Sequence, residues 1–381
     1  MNNIVFKTDV NYQKLISDTS VNYAFSQNLC KANIEEIVSF AKSLKVRNFV
    51  QLGIGGSALA ASAAISFLQK EKPDKRYFCL DNIDPQRLKT VLELDPADTV
   101  FHVVSKSGST IETLSQLFVI KQHVKNANIV ISTDNTDTFL RKFGMQNNYK
   151  IFDIPKEVGG RYSAFTSVAL LPMAFFGFDI ASYIEGAKEA VRKTRDKWGF
   201  PIDLANLVVS TYDRCKVLVM FAYKDRLFLV ADWFRQLWAE SLGKNNLGQT
   251  PIKALGTTDQ HSQLQLYQEG IKDKLIVFLD TISDVDYIIE QAYEPFSYLK
   301  GKSIAKIMEI EKQSTKKALD ESNVPTAEIF LEKIDEFTLG AFFCSLMITT
   351  AKVGEFWKIN PFDQPGVELG KKYTKERLQN D

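Results

Sequence analysis

The chain has 381 residues, 45% of them hydrophobic and 24% charged, a composition that folds around a core and excludes disordered, collagen-like and coiled-coil classes. Forty-seven basic against forty-six acidic side chains leave a net charge of +1. No global field is therefore available to hold nucleic acid or an anionic membrane, and any anion must be held by a local site.

In chain order, residues 1–39 read as a polar helical lead-in. Lys7, Asp9 and Lys14 interrupt the apolar core that a signal peptide needs, which predicts a cytoplasmic protein. Residues 46–52 read as an apolar strand that enters the turn Gly53-Ile54-Gly55-Gly56-Ser57-Ala58 and then an Ala-rich helix. Apolar runs at 76–81, 100–108, 127–134 and 149–155 follow, separated by helix-length stretches, the rhythm of a parallel doubly wound sheet. This predicts a first α/β domain over 40–185. The charged and Gly-Pro-broken stretch 192–203 reads as a junction. Further strand-like runs at 215–223, 251–260 and 274–281, interleaved with long helices, predict a second domain over 200–350 that looks like a divergent copy of the first. A C-terminal helical arm, 351–381, completes the chain. The most apolar stretches, 168–178 and 339–351, are too short to span a membrane and read as core. Cys30, Cys79, Cys215 and Cys344 lack metal-ligand spacing and read as reduced core thiols.

Several stretches carry chemistry. The turn at Gly55, Gly56 and Ser57 offers backbone amides to an anion or hydroxyl. With Asp81 ending the next strand it suits a dinucleotide as well as a small phosphorylated ligand. The loop Ser105-Lys106-Ser107-Gly108-Ser109-Thr110 opens a helix, and the spacing from Ser109 to Glu112 predicts a capping box. One cap needs one hydroxyl; this loop supplies four, with a lysine, at the positive end of a helix dipole, a composition suited to a phosphate monoester. Arg161, after two glycines, presents either an exposed charge or a planar fork of donors for an oxyanion. Gln236 and Glu240 share one face of an otherwise apolar helix, where the carboxylate is either a general base or an ordinary helix-end residue before Gly243. His261, flanked by carboxamides and a carboxylate, is a proton-transfer imidazole or a surface group. Lys371 polarises an oxygen or is solvated.

Taken in order, SKSGST (105–110), GGRYS (159–163), ESLGK (240–244), GTTDQHSQ (256–263) and FDQPGVELGK (362–371) closely resemble the glucose-6-phosphate isomerase family over nearly the whole chain. The resemblance implies two doubly wound parallel-sheet α/β domains of the sugar isomerase (SIS) type, with a helical N-terminal lead-in and a C-terminal helical arm that completes the active site. It implies reversible aldose-ketose isomerisation of glucose 6-phosphate and fructose 6-phosphate through an enediol, in glycolysis and gluconeogenesis, with neither metal nor cofactor. By position, Glu240 matches the base that moves a proton between C1 and C2, His261 and Lys371 the groups that open the ring, and Arg161 the stabiliser of the enediolate. Ser105, Lys106, Ser107 and Thr110 match the phosphate loop, and Gly55, Gly56, Ser57, Gln236 and Gln364 the pocket lining. The family's histidine enters from a neighbouring subunit, which implies a homodimer with composite active sites and no nucleic-acid or membrane partner. Pro365, where animal members have Trp, and Ser109, where Thr is frequent, depart from the pattern. Two other classes compete: an NAD-dependent oxidoreductase, from the glycine turn, and a non-catalytic sugar-phosphate-binding protein, which has no need of Glu240, Arg161 and Lys371 together.

Overall fold

Strands whose residues are buried on both faces read as unbroken apolar runs, because helices cover each side of a parallel sheet. The computed structural model, which describes residues 3–31, 33–69, 74–197 and 199–380, has two such sheets of five strands each. The strands in chain order are β1 (Ile4–Lys7), β2 (Asn48–Leu52), β3 (Arg76–Leu80), β4 (Thr99–Val104), β5 (Asn128–Asp134), β6 (Lys150–Ile154), β7 (Val217–Ala222), β8 (Thr250–Leu255), β9 (Lys274–Thr281) and β10 (Thr326–Leu331). The first sheet has the order β3-β2-β4-β5-β6 and is wholly parallel. The second has the order β1-β10-β9-β7-β8, parallel except for β1 at its edge. Trp198, within the predicted junction, and Met1, Asn2, Ala32 and Asp381, within the predicted lead-in and arm, lie outside the described residues.

Each sheet reverses its winding once. In the first, β3 adds to one side of β2 and β4 to the other; in the second, β8 and β9 flank β7 in the same way. Loops leaving the carboxyl ends of strands on either side of such a reversal diverge and leave a crevice. In the first sheet that crevice lies between residues 53–57, after β2, and residues 105–110, after β4. In the second sheet the corresponding position is filled by charges. Lys312 donates to Asp280 and to Glu328, each at 2.7 Å, and Lys224 stands 3.4 Å from Asp280. Burial pushes the Lys312 ammonium down, but the two carboxylates outweigh it and hold the group above its ordinary value.

The halves join through helices. A Cβ on Gly186 would lie 2.0 Å from the Phe337 carbonyl oxygen, and one on Gly340 would lie 1.9 Å from that of Tyr183. The helices Ile180–Arg195 and Glu336–Phe356 therefore touch backbone to backbone, an approach that only glycine permits. Trp233 of the helix Asp225–Leu242 stacks on Phe343 at 4.0 Å between ring centroids. The helix Glu336–Phe356 has the length and apolar character of a membrane span, yet it is almost entirely buried inside the protein, in line with the core reading of 339–351.

Two expectations are corrected, and one strand is added to those expected. The lead-in is not a helical unit: β1 pairs antiparallel with β10, residues 8–22 form no helix, and among the described residues before β2 only Ala24–Gln27 and Ile34–Ser43 are α-helical. Tertiary partners satisfy the backbone there, as where Asn206 accepts from the Ile16 amide at 2.7 Å and donates to its carbonyl at 3.1 Å. The strand β10 was not foreseen, because Glu328 interrupts its apolar run and is explained only by Lys312 from a distant helix. Among the cysteines, Cys215 and Cys344 are buried, but Cys30 is exposed and Cys79 half-buried.

Replacing Lys312 by Met should leave the buried Asp280 and its neighbour Glu328 without their shared cation, Asp280 keeping Lys224 and the Thr281 amide. We expect a loss of about 3 kcal/mol, the lower end for breaking a buried pair, read as a reduced urea midpoint at neutral pH; an unchanged midpoint refutes the assignment.

Candidate active site

The site is assembled on the turns that leave β2, β4 and β6, on the last turn of the helix Asp225–Leu242 and on residues 360–364. Its centre is Arg161, in the 3-10 turn Gly160–Phe165, which is only 2% exposed. A buried guanidinium is tolerated when its donors are met and its charge is faced by a carboxylate or by oriented carbonyls. Arg161 Nε donates to Ser241 Oγ at 2.7 Å. Nη1 donates to Gln364 Oε1 at 2.7 Å and to Glu240 Oε2 at 3.4 Å, and Nη2 donates to the carbonyl oxygens of Pro361 at 2.7 Å and Asp363 at 2.8 Å. All five donors are thereby engaged, and the longest, weakest bond is the one to Glu240.

Glu240 and Gln236 lie one helical turn apart, and Gln236 Nε2 donates to Glu240 Oε1 at 3.0 Å. Both side chains are half-buried, and Gln236 Oε1 has no hydrogen-bond partner among the described residues. The carboxylate thus has one oxygen toward an amide and one toward a cation while about a third of its side chain stays exposed.

The glycine turn lies against this pair. Gly55 is left-handed at φ +55°, and a Cβ on it would come within 2.5 Å of Gln236 Nε2. A Cβ on Gly56 would come within 2.2 Å of the Gly160 carbonyl carbon. Ser163 Oγ donates to the Gly56 carbonyl at 3.0 Å, and Ser57 sits half-buried in the short 3-10 turn Gly55–Ser57. The clearance given by these glycines is used by protein groups, Gln236 and the Arg161 turn, and Asp81 is paired with Arg87 at 2.6 Å.

The loop after β4 differs from its expected form in one respect. The helix Ile111–His123 begins at Thr110 without a side-chain cap, so the capping box between Ser109 and Glu112 does not form. The hydroxyls bond one another instead: Ser105 Oγ lies 2.8 Å from Thr110 Oγ1, and Ser109 Oγ donates to Ser107 Oγ at 3.3 Å. No side chain caps the first-turn amides of this helix, and Ser107 and Ser109 are exposed. Lys106 Nζ donates to the Lys156 carbonyl at 2.7 Å; burial pushes its ammonium below the ordinary value, opposed by Asp134 and Glu157.

Two predicted residues lie apart from this cluster within one chain. His261 is exposed, at the end of the 3-10 turn Thr258–His261, and its ring makes no hydrogen bond among the described residues. Lys371 pairs with Glu368 at 2.8 Å on the helix Glu368–Asn380, none of whose residues is buried. Gln364, also exposed, reaches the cluster through its side-chain oxygen. Sequence reasoning passed over Ser241, Tyr162, Lys244 and Asp363. Ser241 Oγ takes both Arg161 Nε and a 3.0 Å contact from the Tyr162 hydroxyl, and Lys244 pairs with Asp363 at 3.0 Å. Their one signal was membership of the short motifs, which does not say which members meet.

With this geometry in place, the chain can be set beside known proteins. A family model described as phosphoglucose isomerase matches residues 30–380. A glucose-6-phosphate isomerase of Thermus thermophilus is 38% identical over 351 residues, covering 87% of this chain and 84% of that protein. A probable glucose-6-phosphate isomerase of Methanococcus maripaludis is 37% identical over 359 residues, covering 90% and 81%. The crystal structure of a hypothetical protein, also from Thermus thermophilus, superposes with a TM-score of 0.84 at 35% identity, covering 93% of this chain and 89% of that one. A match that runs from β2 to β10 and through every turn of the cluster makes this chain a member of the phosphoglucose isomerase family.

Proposed function

We propose that the protein interconverts glucose 6-phosphate and fructose 6-phosphate, with Glu240 as the base and Arg161 as the group that meets the developing charge. The observation that carries the reading is the Glu240 carboxylate 3.4 Å from a buried guanidinium whose other donors are held at 2.7–2.8 Å. A proton on the carbon beside a carbonyl needs a placed base and an electrophile for the oxygen, and the two are adjacent here. The open-chain sugar displaces the weak Arg161–Glu240 contact. Glu240 then takes the proton from C2 of the aldose and returns it to C1, the hydroxyl proton passes from O2 to O1 across the enediol, and Nη1 of Arg161 turns to the enediolate oxygen. Gln236 holds the other carboxylate oxygen and so orients the basic lone pair.

Phosphate binding falls to Ser105, Lys106, Ser107 and Thr110. The uncapped first turn of Ile111–His123 and a loop whose hydroxyls bond one another and the Ser109 amide support it. A phosphate far from the reacting carbons supplies binding energy that fixes the sugar in the pocket lined by Gly55, Gly56, Ser57, Gln236 and Gln364.

Ring opening falls to His261 and Lys371, and a homodimer with composite sites accommodates their positions. His261 is exposed, and the helix carrying Lys371 turns Leu369, Tyr373 and Leu378 outward. We assign the two sugar isomerase units to 40–185 and 200–350, flanked by the lead-in 1–39 and the arm 351–381, and place the activity in the cytoplasm.

Glu240→Gln keeps size and hydrogen bonding but removes the basic lone pair, so turnover in a coupled fructose 6-phosphate assay should fall at least about a hundredfold with sugar-phosphate binding intact. Near-normal turnover would sink the assignment. Changing Ser107 and Thr110 together to Ala should raise KM by about tenfold or more, from lost charge-assisted bonds, while leaving the melting temperature nearly unchanged; if a competitive phosphorylated sugar acid still binds as to wild type, the loop is structural. Mixing Glu240→Gln with His261→Ala subunits should restore about a quarter of wild-type activity, since random exchange gives about half mixed dimers, each with one intact pocket. No recovery after exchange verified by mass spectrometry would confine His261 to its own chain or remove it from catalysis.

A further inference from the structure

Lys244 ends the ESLGK motif, and the chemistry above gives it no part. Its side chain is 11% exposed, and its ammonium meets three acceptors, the Ser241 carbonyl at 3.1 Å, the Asn360 carbonyl, and Asp363 Oδ1 at 3.0 Å. Three acceptors match the three donors of an ammonium. The segment it grips is itself closed. Asn360 Nδ2 donates to Asp363 Oδ2, and the Phe362 amide donates to Asn360 Oδ1, both at 3.0 Å.

Arg161 grips the same segment from its other side, through the carbonyls of Pro361 and Asp363 and the Gln364 side chain. We propose that Lys244 is a positioning residue: by clamping residues 360–363 to the end of the Glu240 helix, it fixes the oxygens that aim Arg161 at Glu240. The clamp joins the helix that carries the carboxylate to the segment that orients the guanidinium, so the two reacting groups are set by one tether. A helix-end lysine needs only the Ser241 carbonyl, one turn back. Here the ammonium is instead kept beside a second cation. Burial pushes it below its ordinary value, Asp363 opposes that, and Arg161 adds to it. Nothing in the contacts of Lys244 touches the loop 105–110, so phosphate binding should not depend on it.

The inference rests on the isomerase reading, and the test separates the two. Lys244→Met and Asp363→Asn, which keeps the Asp363 carbonyl, are compared with wild type for fructose 6-phosphate turnover. They are also compared for binding of a phosphorylated sugar hydroxamate, which mimics the enediolate, and of a phosphorylated polyol, which does not. Both variants should lose about tenfold or more in kcat with KM within about threefold, the pattern of a misplaced reacting group. Hydroxamate binding should weaken in step with kcat, and polyol binding should stay within about twofold. An active wild type with both variants at its kcat overturns the inference alone, as does equal weakening of the two inhibitors. Loss of the folded circular dichroism spectrum in both variants assigns Lys244 to stability and overturns it too. A wild type that does not isomerise the sugar overturns the isomerase reading and this inference with it.

Discussion

A guanidinium almost wholly removed from water governs how this molecule is put together. A guanidinium keeps its charge in a protein, so the burial of Arg161 is tolerated only if every donor finds an acceptor. The acceptors come from places far apart in sequence: Ser241 and Glu240 at the end of one long helix, and Pro361, Asp363 and Gln364 after another. Meeting the needs of one side chain thus brings the carboxylate, the carboxamide and the C-terminal segment together. Site and core packing are here the same problem, because Ser241, which takes Nε, also meets the Tyr162 hydroxyl, and the Tyr162 ring packs on Phe25 and Phe362.

The two sheets show one plan put to different use. Both wind in opposite directions from an interior strand, β2 or β7, and both therefore have a crevice at the reversal. In the first, the strands end in glycines and in hydroxyls that bond one another. In the second, Lys312, Asp280, Glu328 and Lys224 neutralise one another. Charges committed to one another in a low-dielectric setting have little left to offer a ligand.

The glycines divide by role along similar lines. Gly186 and Gly340 let two helices meet backbone to backbone and so lock the halves together. Gly55 and Gly56 let a turn reach Gln236 and the Arg161 loop. Both are close approaches that a methyl group would block, although one serves the core and the other the pocket. A local reading of the sequence does not separate them, because the atom that would be struck belongs to a residue far along the chain.

The parallel strands of the two sheets were largely legible in the sequence, since most of the apolar runs that mark them are uninterrupted and separated by helix-length segments. The composition of the candidate site was legible too: Glu240 on an apolar helix, Arg161 behind two glycines and the hydroxyls of 105–110 each stand out against their surroundings. What it did not carry was pairing across distance. The extended lead-in, the strand β10 with Glu328 inside it, and the hydroxyls that bond one another rather than cap a helix all depend on partners brought in by the fold. The same holds at the centre of the site. That Arg161 is buried rather than solvated, that Lys244 holds the segment Arg161 also holds, and that His261 and Lys371 stand apart within one chain follow from where tertiary packing puts acceptors and solvent. Periodicity and local propensity act over a few residues and are written in the sequence, whereas the burial of a charge is a property of its whole surroundings.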